Sequence, residues 1–527
     1  MLVGYVSDER YIALSEVALE FCNDTGVTLA RSSASGAVYA DVEPGLYRVT
    51  LARDGFGAKF VEVEVSEDKP HQFRLLRDCL MGYMWPKCVQ SGESSEFRIH
   101  SYEQYKLEFW RYGLEKELVR PIGWYDEHGP RATVQITPDG DYTQQGVQWN
   151  QVGYTSPRHK QFLIGPEKSG LYYLHAKTES GCFFSFPWVV APRRPKAKVA
   201  VLASDINWNC YNNFGGRSNY IHPDKMPSTP TINSRLELKR YTDPEHFHYH
   251  SKEYLPLSFD RPEPINHVPE GVTIMDPIEG RSPNHIAPAE WRLLGWLERE
   301  GFDYDVWSET QFHFGKLDLD DYKVLVLGPH PEYWSAKMYF ELKDWVFNRG
   351  GRLMYLGGNG LNCEVEFLDE STIVVHNGHN RRQYEEGYES RFHMRQESEA
   401  NLLGVVYTQT GIMTAAPYRV MDGKHWVFEG MGFKNGDLFG EESLHMRVPG
   451  GASGHETDKI SSRFSPSNVC LLAKGTNPDK GGAEMVLHER EGGGSVFSTG
   501  SITYLSSILV SESISKITAT VLSRFLG

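Results

Sequence analysis

A proline-rich basic joint, Ala191-Pro-Arg-Arg-Pro-Lys, separates two textures that no single sheet or bundle can hold together. Beyond it, apolar residues come in short unbroken runs. Lys198-Val-Ala-Val-Leu-Ala-Ser-Asp reads as a buried parallel strand that ends in polar residues. An amphipathic helix over Pro288 to Gly301 follows, with Trp291, Leu294 and Leu297 at helical spacing. Tyr304-Asp-Val-Trp, Tyr322-Lys-Val-Leu-Val-Leu-Gly, a helix from Ala336 to Asn348, and Arg352-Leu-Met-Tyr-Leu-Gly-Gly-Asn-Gly continue in β, β, α, β order. That alternation predicts a mostly parallel sheet with crossover helices. Ligands of such sheets bind beyond the carboxyl ends of the strands, so Ser204 to Tyr220, Gly328 to Tyr333 and Gly357 to Asn362 should converge on one crevice. Gly492 to Gly500 reads as a late return strand.

Before the joint the period is two. Val61, Val63 and Val65 alternate with Glu62 and Glu64, which places one face on a core and the other in water. Strands are expected at Gly36 to Ala40, Glu43 to Leu51 and Lys59 to Val65, then at Ser95 to Ser101, Tyr105 to Tyr112 and Gly170 to Ala176. A length of 527 residues suits two to four domains. The expected division is a β-sandwich module over 1–80, a second over 81–192 and an α/β domain over 193–527.

The composition, 40% hydrophobic and 23% charged, supplies several cores, so wholesale disorder is excluded. A formal charge of −15 argues against tracking a nucleic-acid backbone, which needs a concentrated basic face. No run of apolar residues is long enough to span a bilayer, and the first residues lack a leader pattern, so a cytoplasmic protein is expected. The seven cysteines are scattered without a C-x-x-C pair and read as reduced thiols, Cys210 included.

Several familiar constellations are missing: G-x-S-x-G, H-E-x-x-H, a Walker A loop and G-x-G-x-x-G after a strand. What stands out is His330-Pro-Glu-Tyr-Trp-Ser, directly after an apolar strand. Alternate residues on such a tip can enter one cleft, with Glu332 as an anionic ligand and His330 as a proton carrier; the plainer reading is a helix cap with a first-turn acid. Asn207-Trp-Asn-Cys-Tyr-Asn-Asn-Phe-Gly-Gly-Arg-Ser-Asn-Tyr also follows a strand end and carries the phenols of Tyr211 and Tyr220, which a bound cation could deprotonate. Any one tyrosine taken blind is more often a packing residue. His246, His248 and His250 alternate as strand ligands for zinc or iron would, though an exposed loop gives the same pattern. His455, Glu456 and Asp458 gather in a Gly-rich loop where a general base or a solvated turn would fit.

Taken in order, Tyr211 to Tyr220, Ser258-Phe-Asp-Arg-Pro, His330-Pro-Glu-Tyr-Trp-Ser and Gly358-Asn359 resemble the C-terminal domain of the N,N-dimethylformamidase large-subunit family, over roughly Val199 to Phe525 and more loosely over the β modules before it. The resemblance implies a glutamine-amidotransferase-like α/β domain and hydrolysis of the C–N bond of a small, N-substituted amide such as a formamide. It further implies one iron ion, as Fe3+, held by two tyrosines and one glutamate; zinc, on the 246 to 250 histidines, is the alternative metal. Carried over, Glu332 is the carboxylate ligand and Tyr211 one phenolate. The second phenolate is Tyr254, with Tyr249 and Tyr220 as alternatives. Glu263 stands after Arg261-Pro262, where relatives often carry tyrosine, and would alter the ligand set if it were the counterpart. Glu456 would accept and return a proton, while His330 and Asn359 orient water or stabilise an oxyanion. A homo-oligomer with a small partner subunit is implied as well. The competing reading is a non-catalytic assembly protein that uses the crevice and β modules to contact carbohydrate or protein.

Overall fold

In the N-terminal region, strands Gly26–Arg31, Ala18–Asn23, Gly45–Arg53 and Gly57–Val65 pair in that order as an antiparallel sheet. A three-stranded sheet, with Leu2–Ser7 central between Ala37–Tyr39 and His71–Arg74, shares one core with it. Val6 and Phe73 come from the smaller sheet, and Phe21, Val49 and Val63 from the larger. The alternation read from sequence is the cause: Val63 and Val65 are buried while Glu62 and Glu64 face water. The computed structural model describes residues 1–125, 134–151, 161–232, 254–276, 285–377, 387–491 and 493–527.

A second β unit repeats the principle. Lys116–Tyr125, Tyr105–Tyr112, Gly170–Thr178, Phe183–Ala191 and Cys88–Gln90 form a five-stranded sheet. Phe162–Ile164, Ser94–His100 and Met81–Trp85 form a three-stranded one, and the two bury Phe97, Ile99, Phe109, Leu174 and Trp188 between them.

The C-terminal region is built on nine strands. In chain order they are β1 (Val199–Ala203), β2 (Asp305–Ser308), β3 (Val324–Leu327), β4 (Arg352–Tyr355), β5 (Tyr418–Val420), β6 (Leu438–Phe439), β7 (Cys470–Gly475), β8 (Glu484–Glu489) and β9 (Ser495–Ser498). Their spatial order is β2-β1-β3-β4-β9-β8-β7-β5-β6. The first five are parallel, and the remaining pairings are antiparallel. The sheet is therefore mixed rather than mostly parallel. The difference arises in the Gly-rich stretch, where β8 ends at Glu489 and β9 starts at Ser495, too close in sequence for a crossover, and the two pair antiparallel.

Both faces of the parallel half are covered, as its unbroken apolar runs require. Val324 and Val326 enter one core with Trp291 and Leu294 of helix α2 (Ala287–Arg299) and Ile517 and Val521 of the terminal helix α4 (Glu512–Leu526). Leu325 and Leu327 enter the other with Met338, Leu342 and Trp345 of α3 (Ala336–Asn348). The short helix α1 (Asp205–Tyr211) leaves β1 directly. Gly301, in the left-handed region at φ +76°, closes α2 where the sequence places its end. Among the described residues no helix is long and apolar enough to cross a membrane.

Candidate active site

Every group of the candidate site hangs on the carboxyl edge of β1, β3 and β4 or on a loop folded over it. Tyr211 is the last residue of α1, and Tyr220 follows in the loop. His330 and Glu332 lie between β3 and the short strand Tyr333–Trp334. Asn359 follows β4, and Glu456 lies between Ser453–Gly454, which pairs with Ala415–Ala416, and Thr457–Lys459, which pairs with Val406–Thr408. Two glycines let these loops touch: a Cβ at Gly357 would collide with the Pro329 carbonyl, and one at Gly358 with the Glu456 carbonyl. Asn359 and His455 both adopt left-handed backbone, at φ +51° and +67°, on either side of this contact.

Two phenols converge on one carboxylate. The Tyr211 hydroxyl donates to Glu332 Oε2 at 2.7 Å, and the Tyr220 hydroxyl lies 3.1 and 3.0 Å from Oε1 and Oε2. The two hydroxyls are 2.9 Å apart. Arg391 pairs with Oε1 through Nη2, and the Tyr333 hydroxyl donates to that of Tyr220. Asn219 Nδ2 in turn donates to Tyr333 at 2.8 Å. Burial, and then the Glu332 charge, push the Tyr220 phenol well above its ordinary range, with Arg391 opposing.

Beside this cluster stands an acid–base group. His330 Nε2 approaches Glu456 Oε2 at 3.2 Å and Glu332 Oε2 at 3.4 Å, without aligning as a hydrogen bond to either. Asn359 Nδ2 donates to Glu456 Oε2 at 2.8 Å. Burial disfavours charge on both members, yet their mutual attraction prevails: the His330 imidazole is raised, and the Glu456 carboxyl is held down to about 2. Asp458 supports the loop by accepting from the Asn359 N–H and the Tyr355 hydroxyl, each at 2.8 Å. Its own carboxyl is pushed up to about 7 by burial.

The donor chemistry fits a small hard cation. An ion with six oxygen ligands at about 2.0–2.1 Å sets neighbouring oxygens about 2.9 Å apart. The oxygens of Tyr211, Tyr220 and Glu332 stand 2.7 to 3.1 Å from one another. His330 Nε2 and Asn359 Oδ1 are buried there with no aligned partner among the described residues. Among those residues, no three His, Cys, Asp or Glu side chains form a metal group of their own, so a cation here depends on the phenols.

Comparison with known proteins gives a match over residues 117–515 to the family described as N,N-dimethylformamidase beta subunit-like, C-terminal. The chain belongs to that family. The match begins at residue 117, inside the second β unit, so the later part of that unit is included in what the family shares, as the looser extension of the resemblance before Val199 anticipates. The N,N-dimethylformamidase beta subunit of Paracoccus aminophilus is 26% identical over 407 residues, 64% of this chain and 50% of that one. Its namesake from an Alcaligenes species is 27% identical over 290 residues, 45% of this chain and 37% of that one. The chain thus spans half or less of the curated relatives it matches. A solved ThuA-like protein from Bacteroides uniformis aligns with 46% of this chain and 87% of its own, at 11% identity and a TM-score of 0.27.

Within this family frame, the structure brings Tyr211, Glu332, His330, Asn359 and Glu456 together. The second phenol on Glu332 is Tyr220; Tyr254 is half-buried at the start of the stretch 254–276. Tyr249 and the three histidines at 246, 248 and 250 lie outside the described residues. Glu263 is engaged elsewhere, in an ion pair with Lys87 at 2.6 Å. The helix-cap reading of His330-Pro-Glu-Tyr-Trp-Ser applies to its last residue, because Ser335 caps α3 while Glu332 faces the cleft. Cys210 is a buried thiol pushed far above its ordinary range by burial, and the seven cysteines are free. Arg391 and Tyr333 carried no expectation; Tyr333 sat inside the motif, whereas nothing around Arg391 marks it.

The second β unit reaches this site through one arginine. Tyr83 and Arg98 bind Asp260, and Lys87 binds the Arg261 carbonyl. Arg261, fully buried, then donates to the carbonyls of Ser258, Asn209, Asn212 and Phe214 and to Asn209 Oδ1. It thereby fixes the segment that carries Tyr211. Arg261→Ala strands those acceptors away from water, and a loss of about 3 kcal/mol in urea unfolding is expected. An unchanged midpoint would show that the segment holds itself.

Proposed function

We propose that this chain is a metal-dependent hydrolase that cleaves the C–N bond of a small, N-substituted amide such as a formamide. The observation that carries the reading is the convergence of two phenols on Glu332 beside the His330, Glu456 and Asn359 group. Tyr211, Glu332 and a second phenol, Tyr220 by the geometry and Tyr254 by family spacing, would hold one iron ion. When bound, such an ion polarises the amide carbonyl and makes hydroxide available near neutral pH.

The remaining roles belong to the protein. Glu456, held in its ionised form by His330, is placed to take the proton of the attacking water, while the His330 imidazolium gives its own proton to the departing amine and recovers one from Glu456. Asn359 fixes the Glu456 carboxylate through Nδ2. Arg391 holds Glu332 Oε1, leaving Oε2, where Tyr211 and Tyr220 meet, as the oxygen turned to the site. Charge on Arg391 also offsets the anionic carboxylate in a buried setting.

A domain division at 80 and 192, a glutamine-amidotransferase-like α/β body, and assembly of several copies with a small partner subunit belong to the same proposal. The relatives' name, beta subunit, supports the last of these.

The test is elemental analysis of the purified full chain together with amine release from a panel of N-alkyl and N-aryl formamides. About one iron per chain is expected, with turnover lost on chelation and restored by iron. Hydrolysis by a metal-free protein, or a metal-bearing protein inert across the panel, would overturn the reading.

A further inference from the structure

Away from the candidate active site, a hollow of about 900 Å³ opens between the second β unit and α2. Its size is that of a pocket for a small organic ligand. The floor is aromatic: Tyr173 stacks on Tyr112 at 4.3 Å between ring centroids, Trp291 lies 4.8 Å from Tyr112, and half-buried Trp110 stacks on Tyr173 at 6.2 Å. The loop residues Val272 and Ile274, with Leu509, add apolar wall.

The cations around this floor are paired among the described residues, with one exception on which the inference turns. Lys106 pairs with Glu108 at 2.5 Å, and Lys177 with Glu270 at 2.7 Å. Arg299 pairs with Glu300 at 2.9 Å. Lys116 has no carboxylate at ion-pair distance among the described residues; its ammonium sits over the rings of Trp291 and Tyr173, 5.5 and 5.9 Å from their centroids. The ring faces attract this half-buried cation, while Asp276 and Glu270 act on it only from beyond ion-pair distance.

We propose that this hollow binds a small aromatic monocarboxylate, its ring lying among Trp110, Tyr173 and Trp291 and its anion pairing with Lys116. The apolar floor selects a ring, since each stacked aromatic contact contributes about 0.5–1.5 kcal/mol beyond burial. The single unpaired ammonium selects one negative charge. A dianion such as a phosphate monoester would meet Glu108, Glu115 and Glu270 on the same walls. A neutral sugar would leave Lys116 without a partner. Burial lowers the Lys116 amine to about 8, which an arriving carboxylate would reverse. The site is independent of the amide chemistry and of any metal.

Calorimetric titration of the full chain with phenylacetate and indole-3-acetate tests the assignment, with 2-phenylethanol and phenethylamine as neutral and cationic counterparts. Lys116→Met, at a half-exposed position near the start of an edge strand, keeps the stem and removes the charge. Binding of the two carboxylates is expected, with the neutral and cationic analogues at least tenfold weaker and the variant at least tenfold weaker than wild type. The proposal falls if no carboxylate binds up to about 10 mM, if the analogues bind equally well, or if Lys116→Met leaves the affinity unchanged.

Discussion

Glu456→Gln is expected to lower kcat for amide cleavage about 10³-fold, within the usual span for loss of a positioned proton carrier. The substitution keeps the size of the side chain and its acceptor toward Asn359 Nδ2, so the loop should hold its place. What disappears is the anion beside His330. Two consequences should separate this residue from one that merely supports the fold. Metal content should stay at the wild-type level, because Glu456 makes no contact with Tyr211 or Glu332 in the described hydrogen bonds and ion pairs. KM should move little, since a group that acts on the proton contributes mainly to the transition state. A variant that keeps more than a tenth of wild-type kcat would remove Glu456 from the proton path. Asn359→Asp offers a check from the other side, because a second carboxylate at 2.8 Å would repel Glu456 rather than hold it.

Much of this arrangement was legible from the chain because the strand ends announce themselves. Val324 to Leu327 can only be a strand buried on both faces, and the residues that follow it are polar, bulky and short of aliphatics; such a tip belongs at a crevice. The same logic located Tyr211 after β1 and Asn359 after β4. Legibility failed where partner choice depends on long-range folding. Nothing in spacing tells whether the loop after α1 folds back on itself, which is what brings Tyr220 rather than a more distant phenol against Glu332. Arg391 enters from a loop some sixty residues downstream with no pattern of its own, yet it makes the ion pair that holds the carboxylate. The antiparallel half of the sheet was hidden for another reason. Its strands alternate with glycine-rich turns instead of helices, and short apolar runs do not reveal their direction.

Glu332→Gln is expected to abolish turnover, by at least about 10⁴-fold or 5.5 kcal/mol in transition-state stabilisation, and to abolish the proposed metal binding. Four side chains share this carboxylate. Tyr211 and Tyr220 both point their hydroxyls at it, Arg391 pairs with one oxygen, and His330 stands 3.4 Å from the other. A neutral amide in its place accepts at one atom only and presents N–H groups to the guanidinium of Arg391. The buried arginine is then uncompensated, and a stability loss of about 3–5 kcal/mol accompanies the functional one. That second effect must be kept apart from the first. Arg391→Met combined with Glu332→Gln removes the buried charge and should recover most of the unfolding free energy while leaving turnover and metal at background. If the double variant regained activity together with stability, Glu332 would be a structural partner of Arg391 and the oxygen cluster would have no part in catalysis. If neither returned, the fold itself would depend on this ion pair; Tyr211→Phe, which deletes one donor oxygen and leaves the pair intact, would then decide, with loss of metal expected in a protein of wild-type stability.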